Sequence, residues 1–394
     1  KEKGAVASFW QKDQPSPPQD VPLIFVDDTI EALQNLANSY RDQLQLKVVG
    51  ITGSNGKTTT KDIVTAVLQT KYKVHKTAGN YNNHIGLPLT ILSMTEDVEV
   101  AVLEMGMSGR GEIELLSNIA RPDAAIITNI GESHLQELGS REGIAEAKLE
   151  IAIGLKEEGV LIINGDEPLL TNNTVCQNGN VIRFGILPEN DLVAESIDLK
   201  PDGTNFKVSE NEFFIPVLGK HNVTNALAAI AVSNHLDLTD EQIKQGLQEV
   251  SITGMRNEVI QSQSGWTIIN DAYNASPTST KAAIDLLTDL TGFNQKIVVL
   301  GDMLELGDLE KEFHQETGRH INEKEINFVF TYGELGEEIA KGARGKMSAE
   351  RVLSFRDKEA LITVLLEKLS NKDVVLVKAS RGMKLEEVVN GINR

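Results

Sequence analysis

Two series of short apolar runs, spaced by stretches of helical periodicity, constrain the fold of this chain more than any single residue does. "KVVGIT", "VEVAVLE", "DAAIITNI" and "GVLIIN" form the first series. "WTIIND", "KIVVLGD", "INFVFTYG", "RVLSF" and "DVVLVKAS" form the second. Runs this apolar belong to strands covered on both faces, hence to parallel sheets with crossover helices. The first series leaves room for such helices between its runs. In the second, each run but the last is clearly set off by a helical stretch. Between the series, from about Ile182 to Pro216, short strands and turns such as "KPDGTNF" replace this pattern, and helices return from His221 to Val250. The reading is α/β, two open sheets in series, without heptads or short repeats. A length of 394 residues also exceeds what one core usually organises.

Ligands of such sheets bind beyond the carboxyl ends of the strands, so the residues following each run carry the chemistry. The first of these segments is "VVGITGSNGKTTTKDI", Val48 to Ile63. A standard phosphate loop has glycine five residues before Gly56, where this chain has Ile51. Here Gly50, Gly53 and Gly56 are three apart. Gly53 and Gly56 allow backbone conformations that turn amides toward a phosphate, and the helix that follows adds positive potential at its N-terminus. Lys57 is placed to reach β- and γ-phosphates, and Thr58 to ligate Mg²⁺. A strand before, a helix after and Lys-Thr at the junction distinguish this segment from an ordinary strand–turn–helix corner.

Further candidates follow the later runs. Glu104 ends a strand where a metal-binding acid is wanted beside a phosphate loop; a turn carboxylate is the alternative. Asn129 and His134 lie beyond the next strand. A neutral imidazole there suits a second Mg²⁺ ligand, although Mg²⁺ prefers oxygen, and a structural hydrogen-bonded histidine fits equally well. "REGIAEAKLEIAIGL" reads as one helix with Ile144, Lys148, Ile151, Ala152 and Leu155 on a shared face. Lys148 interrupts that apolar stripe. Desolvation there raises the neutral fraction a modifiable lysine needs, and snorkelling to solvent is the alternative. Asn222 and Asn225 in "LGKHNVTNALAAI" sit near a helix start, as caps or as readers of an adenine edge. In the second series, "IINDAYNASPTS" packs Asp271, Tyr273, Asn274 and Ser276 into one turn. Arg256 in "GMRNEV", Asp302 and Glu305 in "LGDMLELGD", and Lys378, Ser380 and Arg381 in "VKASRGMKLEE" complete the set. Cations after the last strand suit capture of a carboxylate or phosphate, against the plainer reading of solvated loop charges.

Composition removes several classes. A formal net charge of −19 leaves no basic nucleic-acid footprint, so anions need local cations, metal ions or helix N-termini. Cys176 is the single cysteine, which excludes an internal disulfide and fits a reducing cytoplasm. No apolar run has membrane-spanning length and no signal peptide is visible. The chain opens on "KEKGAVASFW" without Met, so a truncated N-terminus is expected, and the Pro-rich "QKDQPSPPQD" is a loop or boundary.

With these residues in order, the chain resembles the Mur ligases of bacterial cell-wall synthesis. "TGSNGKTTT" has the family's loop spacing, and "LEMG", "TNIGESHL", "EAKLEI" and "GKHNVTNALAA" follow in the family's order. "GNYNNHIGLPLT", "NDAYNASPTS", "LGDMLELGD" and "KASRG" look like the branch that adds D-alanyl-D-alanine. The resemblance covers essentially everything after Asp27. It implies a remnant of an N-terminal UDP-substrate-binding domain over 1–26, a central ATP-binding domain over 27–251 with the phosphate loop, and a Rossmann-like C-terminal ligase domain over 252–394. It implies ATP held by Gly53, Ser54, Asn55, Gly56, Lys57, Thr58 and Thr59, with Asn222 and Asn225 at the adenine and Arg256 and Asp271 reaching the nucleotide on domain closure. Mg²⁺ would be bound by Thr58, Glu104, His134 and a Lys148 carbamylated by CO₂, with Lys57, Lys148 and His134 the catalytic set. Asn82 and Asn83 match the family's substrate-side loop, and Tyr273, Asn274, Ser276, Lys378, Ser380 and Arg381 are expected to hold the amine substrate.

The implied reaction joins UDP-N-acetylmuramoyl-tripeptide to D-alanyl-D-alanine through an acyl phosphate, in a cytoplasmic, monomeric enzyme without nucleic-acid or membrane partners. Two alternatives stand beside it. A sister ligase adding a single amino acid is disfavoured by "DAYNASPTS", where a histidine-containing turn is expected, and a folylpolyglutamate synthetase by "SNGKTTT". A non-catalytic nucleotide-binding module is disfavoured by Lys57, Glu104, His134 and Lys148 occurring together.

Overall fold

The computed structural model describes residues 4–200 and 202–393. The first three residues of the expected N-terminal remnant, Pro201 of "KPDGTNF" and the final residue of the chain lie outside the described residues. Strands β1 (Ser8–Gln11) and β2 (Leu23–Val26) pair in parallel as a small sheet of their own. The first apolar series supplies most of a seven-stranded sheet. Its members are β3 (Lys47–Thr52), β4 (Val74–Lys76), β5 (Val100–Glu104), β6 (Ala124–Ile127), β7 (Val160–Asn164), β8 (Val181–Gly185) and β9 (Leu192–Val193), in the order β4-β5-β3-β6-β7-β8-β9 and parallel throughout. β10 (Glu195–Lys200), β11 (Gly203–Val208) and β12 (Asn211–Ile215) form an antiparallel sheet. The second series builds a six-stranded sheet ordered β13-β14-β18-β15-β16-β17. Its strands are β13 (Glu258–Gln261), β14 (Thr267–Asp271), β15 (Lys296–Gly301), β16 (Phe328–Tyr332), β17 (Val352–Phe355) and β18 (Val374–Lys378).

Alternation within the buried strands sorts their side chains onto two faces. Val49 and Ile51 pack into one cluster with Ile63, Val64 and Val67 of the helix Lys57–Leu68. Val48 packs on the other face with Leu87, Ile113 and Ile144. The second sheet behaves the same way, Val298 and Leu300 facing one cluster and Ile297 and Val299 the other.

Four details depart from the sequence reading. The region 182–216 is not one unit, because β8 and β9 extend the parallel sheet and only β10–β12 stand apart. β13 is an antiparallel edge strand whose mostly exposed residues leave no apolar period to read. The last strand is set off by a helix after all, Lys358–Lys368. "REGIAEAKLEIAIGL" is not one helix: the α-helix spans Arg141–Leu149 and tightens into a 3₁₀ turn at Glu150–Ala152. Ser117 Oγ donates to the Ile151 carbonyl at 2.6 Å, and Gly154 is packed so closely on Ser117 that a Cβ would stand 2.3 Å from its backbone. The chain turns around that contact.

The carboxyl ends of β3, β5 and β6 face those of β14 and β18 across one cleft. Side-chain bonds bridge it, among them Ser276 Oγ to Asn55 Oδ1 at 3.2 Å and Thr278 Oγ1 to Glu132 at 2.8 Å.

Candidate active site

β3 delivers the chain into a loop that only glycine can form. Gly53 has φ +147°, and a Cβ there would lie 1.8 Å from Thr128 Oγ1. Gly56 has φ +81° and is the N-cap residue of the helix Lys57–Leu68. Asn129 fixes the loop, accepting from Asn55 N at 2.9 Å and donating to Asn55 O at 3.0 Å. Lys57 Nζ donates to the Gly53 carbonyl at 2.8 Å and, among the described residues, otherwise bonds only the Ser54 carbonyl, at 3.5 Å. Burial holds this lysine below its usual pKa, against an opposing pull from Glu104. A cation with carbonyl partners alone is ready for an anion.

Thr58 Oγ1 donates to Glu104 Oε2 at 2.8 Å, and Asn82 Nδ2 donates to Glu104 Oε1 at 2.9 Å. Glu104 is buried at the end of β5, which pairs in parallel with β3, so the strand register sets it beside the loop. Hard oxygen atoms of a hydroxyl and a carboxylate next to a phosphate loop are the donor type Mg²⁺ takes. Among the described residues no three His, Cys, Asp or Glu side chains converge. A cation here would therefore complete its shell from phosphate oxygens, water or a modified side chain.

Lys148 is 2% exposed, and its side chain makes no hydrogen bond or ion pair among the described residues. Burial, and then the Lys57 charge, hold its ammonium well below the usual lysine range. His134 has φ +64° and sets Nδ1 3.2 Å from Glu305 Oε2 on the opposite side of the cleft. Burial lowers its pKa, Glu305 opposes that, and Lys57 and Lys148 add to it. The Lys57 charge thus bears on both Lys148 and His134.

The opposite wall is organised differently. Asp271 and Lys378 are register partners on neighbouring β14 and β18, and Lys378 Nζ lies 2.5 Å from Asp271 Oδ2. Lys378 also donates to the Asn274 carbonyl at 2.9 Å. Ser380 Oγ accepts from Leu304 N at 2.9 Å, and Ser276 Oγ accepts from Ser279 N at 3.3 Å as a helix N-cap. Arg256 lies over the Tyr273 ring, 3.8 Å from its centroid, and Arg381 lies 5.9 Å from the same centroid. The cleft between the walls encloses about 280 Å³.

Comparison with known proteins gives this arrangement a family. The model of the Mur ligase middle domain matches residues 51–233, and that of the Mur ligase glutamate ligase domain matches residues 255–381. The chain belongs to the Mur ligase family. A UDP-N-acetylmuramoyl-tripeptide–D-alanyl-D-alanine ligase of Bacillus subtilis is 56% identical over 99% of this chain and 85% of its own length. Among solved structures, MurF from Acinetobacter baumannii superposes with a TM-score of 0.90 at 31% identity, over 98% of this chain and 84% of its own. A MurF ligase from Thermotoga maritima in complex with ADP gives 0.89 at 31% identity, over 100% and 89%.

The Mur ligase cleft gathers most of the residues picked from sequence. Ser54, Asn55, Gly56, Lys57, Thr58, Thr59, Asn82, Glu104, Asn222, Asn225, Arg256, Asp271, Tyr273, Asn274 and Lys378 line it. Several have other duties. Asn222 and Asn225 are not helix caps: the N-cap residue of the helix Lys220–His235 is Gly219, Asn222 Nδ2 donates to the Leu218 carbonyl at 2.8 Å, and Asn225 Nδ2 to Asn222 Oδ1 at 3.1 Å. Asn83 accepts from Gly86 N at 2.8 Å and shapes the start of a helix. Asp302 accepts from Gly336 N at 2.6 Å and from Glu334 N at 3.1 Å, buried as a cap in the second sheet's unit. Arg381 is half exposed and ion-paired with Glu386 at 2.9 Å.

Sequence reasoning missed His221 and Asn257, which meet at 2.9 Å across the two units and both line the cleft. It also missed Asp62, whose buried carboxylate reaches across to Thr253. His221 stood next to Asn222 in a quoted motif. Asp62 carried no signal, since a charged residue inside a helix reads as solvated.

Proposed function

We propose that this protein ligates D-alanyl-D-alanine to UDP-N-acetylmuramoyl-tripeptide at the cost of ATP, forming an amide bond in peptidoglycan precursor synthesis. The observation that carries this reading is the two-walled cleft: a phosphate loop whose lysine has no counter-ion among the described residues on one side, and the Asp271–Ser276 turn on the other. The strong likeness to D-alanyl-D-alanine-adding ligases along almost the whole chain supports the choice of substrates.

In the first step a carboxylate oxygen of the tripeptide attacks the γ-phosphorus of ATP, the β–γ bridging bond breaks, and ADP leaves. The amine nitrogen of the dipeptide then attacks the acyl carbon, loses a proton, and phosphate departs as the amide forms. Lys57 neutralises charge where two anions meet, and the amides at the start of the helix Lys57–Leu68 face the phosphates. Thr58 and Glu104 would hold Mg²⁺, which when bound screens the phosphate charge. Asn222 and Asn225 would face the adenine, and Arg256 and Asp271 would approach the nucleotide from the second unit. Closure of the two units keeps water from the acyl phosphate. We assign the boundary between ATP-binding and ligase domains to residues 251 and 252, and we take the protein to act as a cytoplasmic monomer.

Lys148 belongs to the proposal as a carbamate. Its neutral amine nitrogen adds to the carbon of CO₂ and releases a proton, replacing a buried amine by an anion with oxygen donors. Burial without a counter-ion supplies the neutral amine that this addition needs. Lys148→Ala should lower turnover by at least about a hundredfold, with partial recovery in small carboxylates that supply the lost oxygens. A variant with near-normal turnover, or one no carboxylate restores, would remove the carbamate from the account.

The direct test of the function is product mass. Incubation with ATP, Mg²⁺, the tripeptide precursor and D-alanyl-D-alanine should yield the pentapeptide precursor together with ADP and phosphate. ATP turnover without a new amide product would refute the ligase reading.

A further inference from the structure

Asp62 is a carboxylate that neither the phosphate loop nor the chemistry described above uses. It lies on the helix Lys57–Leu68, five residues after Lys57, with its side chain 1% exposed. One oxygen takes Lys76 Nζ at 2.8 Å and lies 3.8 Å from Lys61 Nζ. The other accepts both the backbone N–H of Thr253 at 2.9 Å and its hydroxyl at 2.7 Å. Burial alone would raise its pKa, yet the bonds from Lys76 and Thr253 hold it below the usual value, so it stays ionised. A buried, charged acceptor with this many donors is a strong and directional anchor.

Thr253 belongs to the segment joining the two units. Just beyond it, Met255 at φ +63° and Asn257 at φ +51° are both left-handed without being glycine. Each such conformation is strained and persists only where its neighbours over-determine it. Downstream the determinants are in the second unit: Met255 N donates to Glu258 Oε2 at 3.0 Å, and Asn257 N to Asp271 Oδ1 at 3.2 Å. Upstream the anchor is Asp62. Arg256 lies between the two left-handed residues, its guanidinium against Tyr273 and within the cleft.

We propose that Asp62 is a positioning residue, which ties the start of the inter-unit segment to the phosphate-loop helix and so sets the pivot that presents Arg256 to the nucleotide. The nucleotide's phosphates bear on one end of this helix, and the joint with the second unit is pinned a turn and a half further on. The proposal rests on the ligase reading for the role of Arg256. The anchor itself rests only on the geometry.

The test uses the whole protein and three substitutions. Thr253→Val keeps the shape and the N–H but loses the hydroxyl, Thr253→Ser keeps the hydroxyl, and Asp62→Asn removes the charge. Thr253→Val and Asp62→Asn should lower kcat by at least about tenfold, the scale of a modest misplacement of a reacting arrangement. ADP affinity, measured by direct titration, should stay within about twofold, because the loop is intact. Thr253→Ser should restore kcat to within about twofold of the wild type. Small-angle scattering with a non-hydrolysable ATP analogue and Mg²⁺ should show less compaction for Thr253→Val than for the wild type. Lys76→Met separates anchoring from mere stability: it removes a partner of Asp62 but leaves the bonds to Thr253, so it should lower the melting temperature while leaving compaction as in the wild type.

Thr253→Val with wild-type kcat and wild-type compaction would overturn the proposal even if Asp62→Asn fails to fold. So would a Lys76→Met variant that loses compaction as Thr253→Val does. Failure of the ligase reading would look different, since no amide product would form with the wild type while the scattering comparison could still be made.

Discussion

The two walls of the cleft use charge in opposite ways. On the phosphate-loop wall, the Lys57 ammonium bonds only carbonyls among the described residues and awaits an anion, and the buried Lys148 amine has no acceptor there either. On the facing wall, Lys378 is bound to Asp271 and to the Asn274 carbonyl, Ser380 holds the Leu304 amide, and Arg381 is paired with Glu386. The first wall is built for a ligand at some expense of stability. The second is built largely to hold its own turn, leaving Asn274, Tyr273 and Arg256 as the groups with capacity to spare. Residues of one type, after strands of one kind, thus do different work according to what the neighbouring strand places beside them.

Substitutions on the two walls should separate accordingly. The largest effect is expected for Lys57→Ala, which should lower turnover by at least about a hundredfold while leaving the melting temperature unchanged or slightly higher, because a half-buried cation without a counter-ion among the described residues is removed. Steady-state rates and thermal unfolding on one preparation check both halves; a large loss of stability would place Lys57 with the structural wall instead. Next comes the Asp271–Lys378 pair, whose side chains are 13% and 3% exposed. Removing one partner of such a pair should cost on the order of 3 kcal/mol of folding stability. Lys378→Met alone should show this in denaturant unfolding, and adding Asp271→Leu should recover part of it, the two being directly coupled. Additive losses would mean the pair is not a unit.

Arg381→Ala should act more mildly. Its guanidinium is half exposed and shared with Glu386, so the expected change is a rise of about threefold in the KM for D-alanyl-D-alanine with ATP affinity unaffected. An unchanged dipeptide KM would move the carboxylate anchor to another residue, with Asn274 of the Asp271–Ser276 turn the next to test.

The smallest expected effect is on pH. His75, His134, His221 and His314 are all held below the ordinary histidine value, in each case first by burial. The folded protein keeps them neutral where the unfolded chain already binds protons. Their contribution is therefore complete above about pH 6.5 and is lost as pH falls below it toward the folded values. Melting temperature should decline between about pH 7.5 and 5.5. His314→Gln, less stable at neutral pH, should show a shallower decline, because His314 Nε2 accepts from the Met303 amide and loses that role on protonation.

How much of this could be read from sequence follows the same division. The phosphate loop is one contiguous segment, so its glycines, Lys57 and Thr58 were identified with their surroundings. Strands buried on both faces announced themselves by composition, whereas the exposed edge strand β13 did not. The facing wall was found as segments but not as contacts, because the pairing of Asp271 with Lys378 depends on β14 and β18 being neighbours, and 106 intervening residues conceal that. Of the two readings left open for Lys148, burial and snorkelling, the structure shows burial, although the helix carrying it ends a residue later than it and not at Leu155. Asp62 was invisible, since nothing local distinguishes a buried helical carboxylate from a solvated one.

The central claim is that an acyl phosphate made on the first wall is taken by a dipeptide amine held on the second. Phosphate release with ATP, Mg²⁺ and UDP-N-acetylmuramoyl-tripeptide tests it most directly, with D-alanyl-D-alanine, D-alanine, L-lysine and D-glutamate offered in turn. The account predicts that D-alanyl-D-alanine gives by far the fastest release, because a single amino acid held by its carboxylate leaves its amine one residue short of the acyl carbon. A single amino acid that outperforms the dipeptide, or release that ignores the amine altogether, would contradict it.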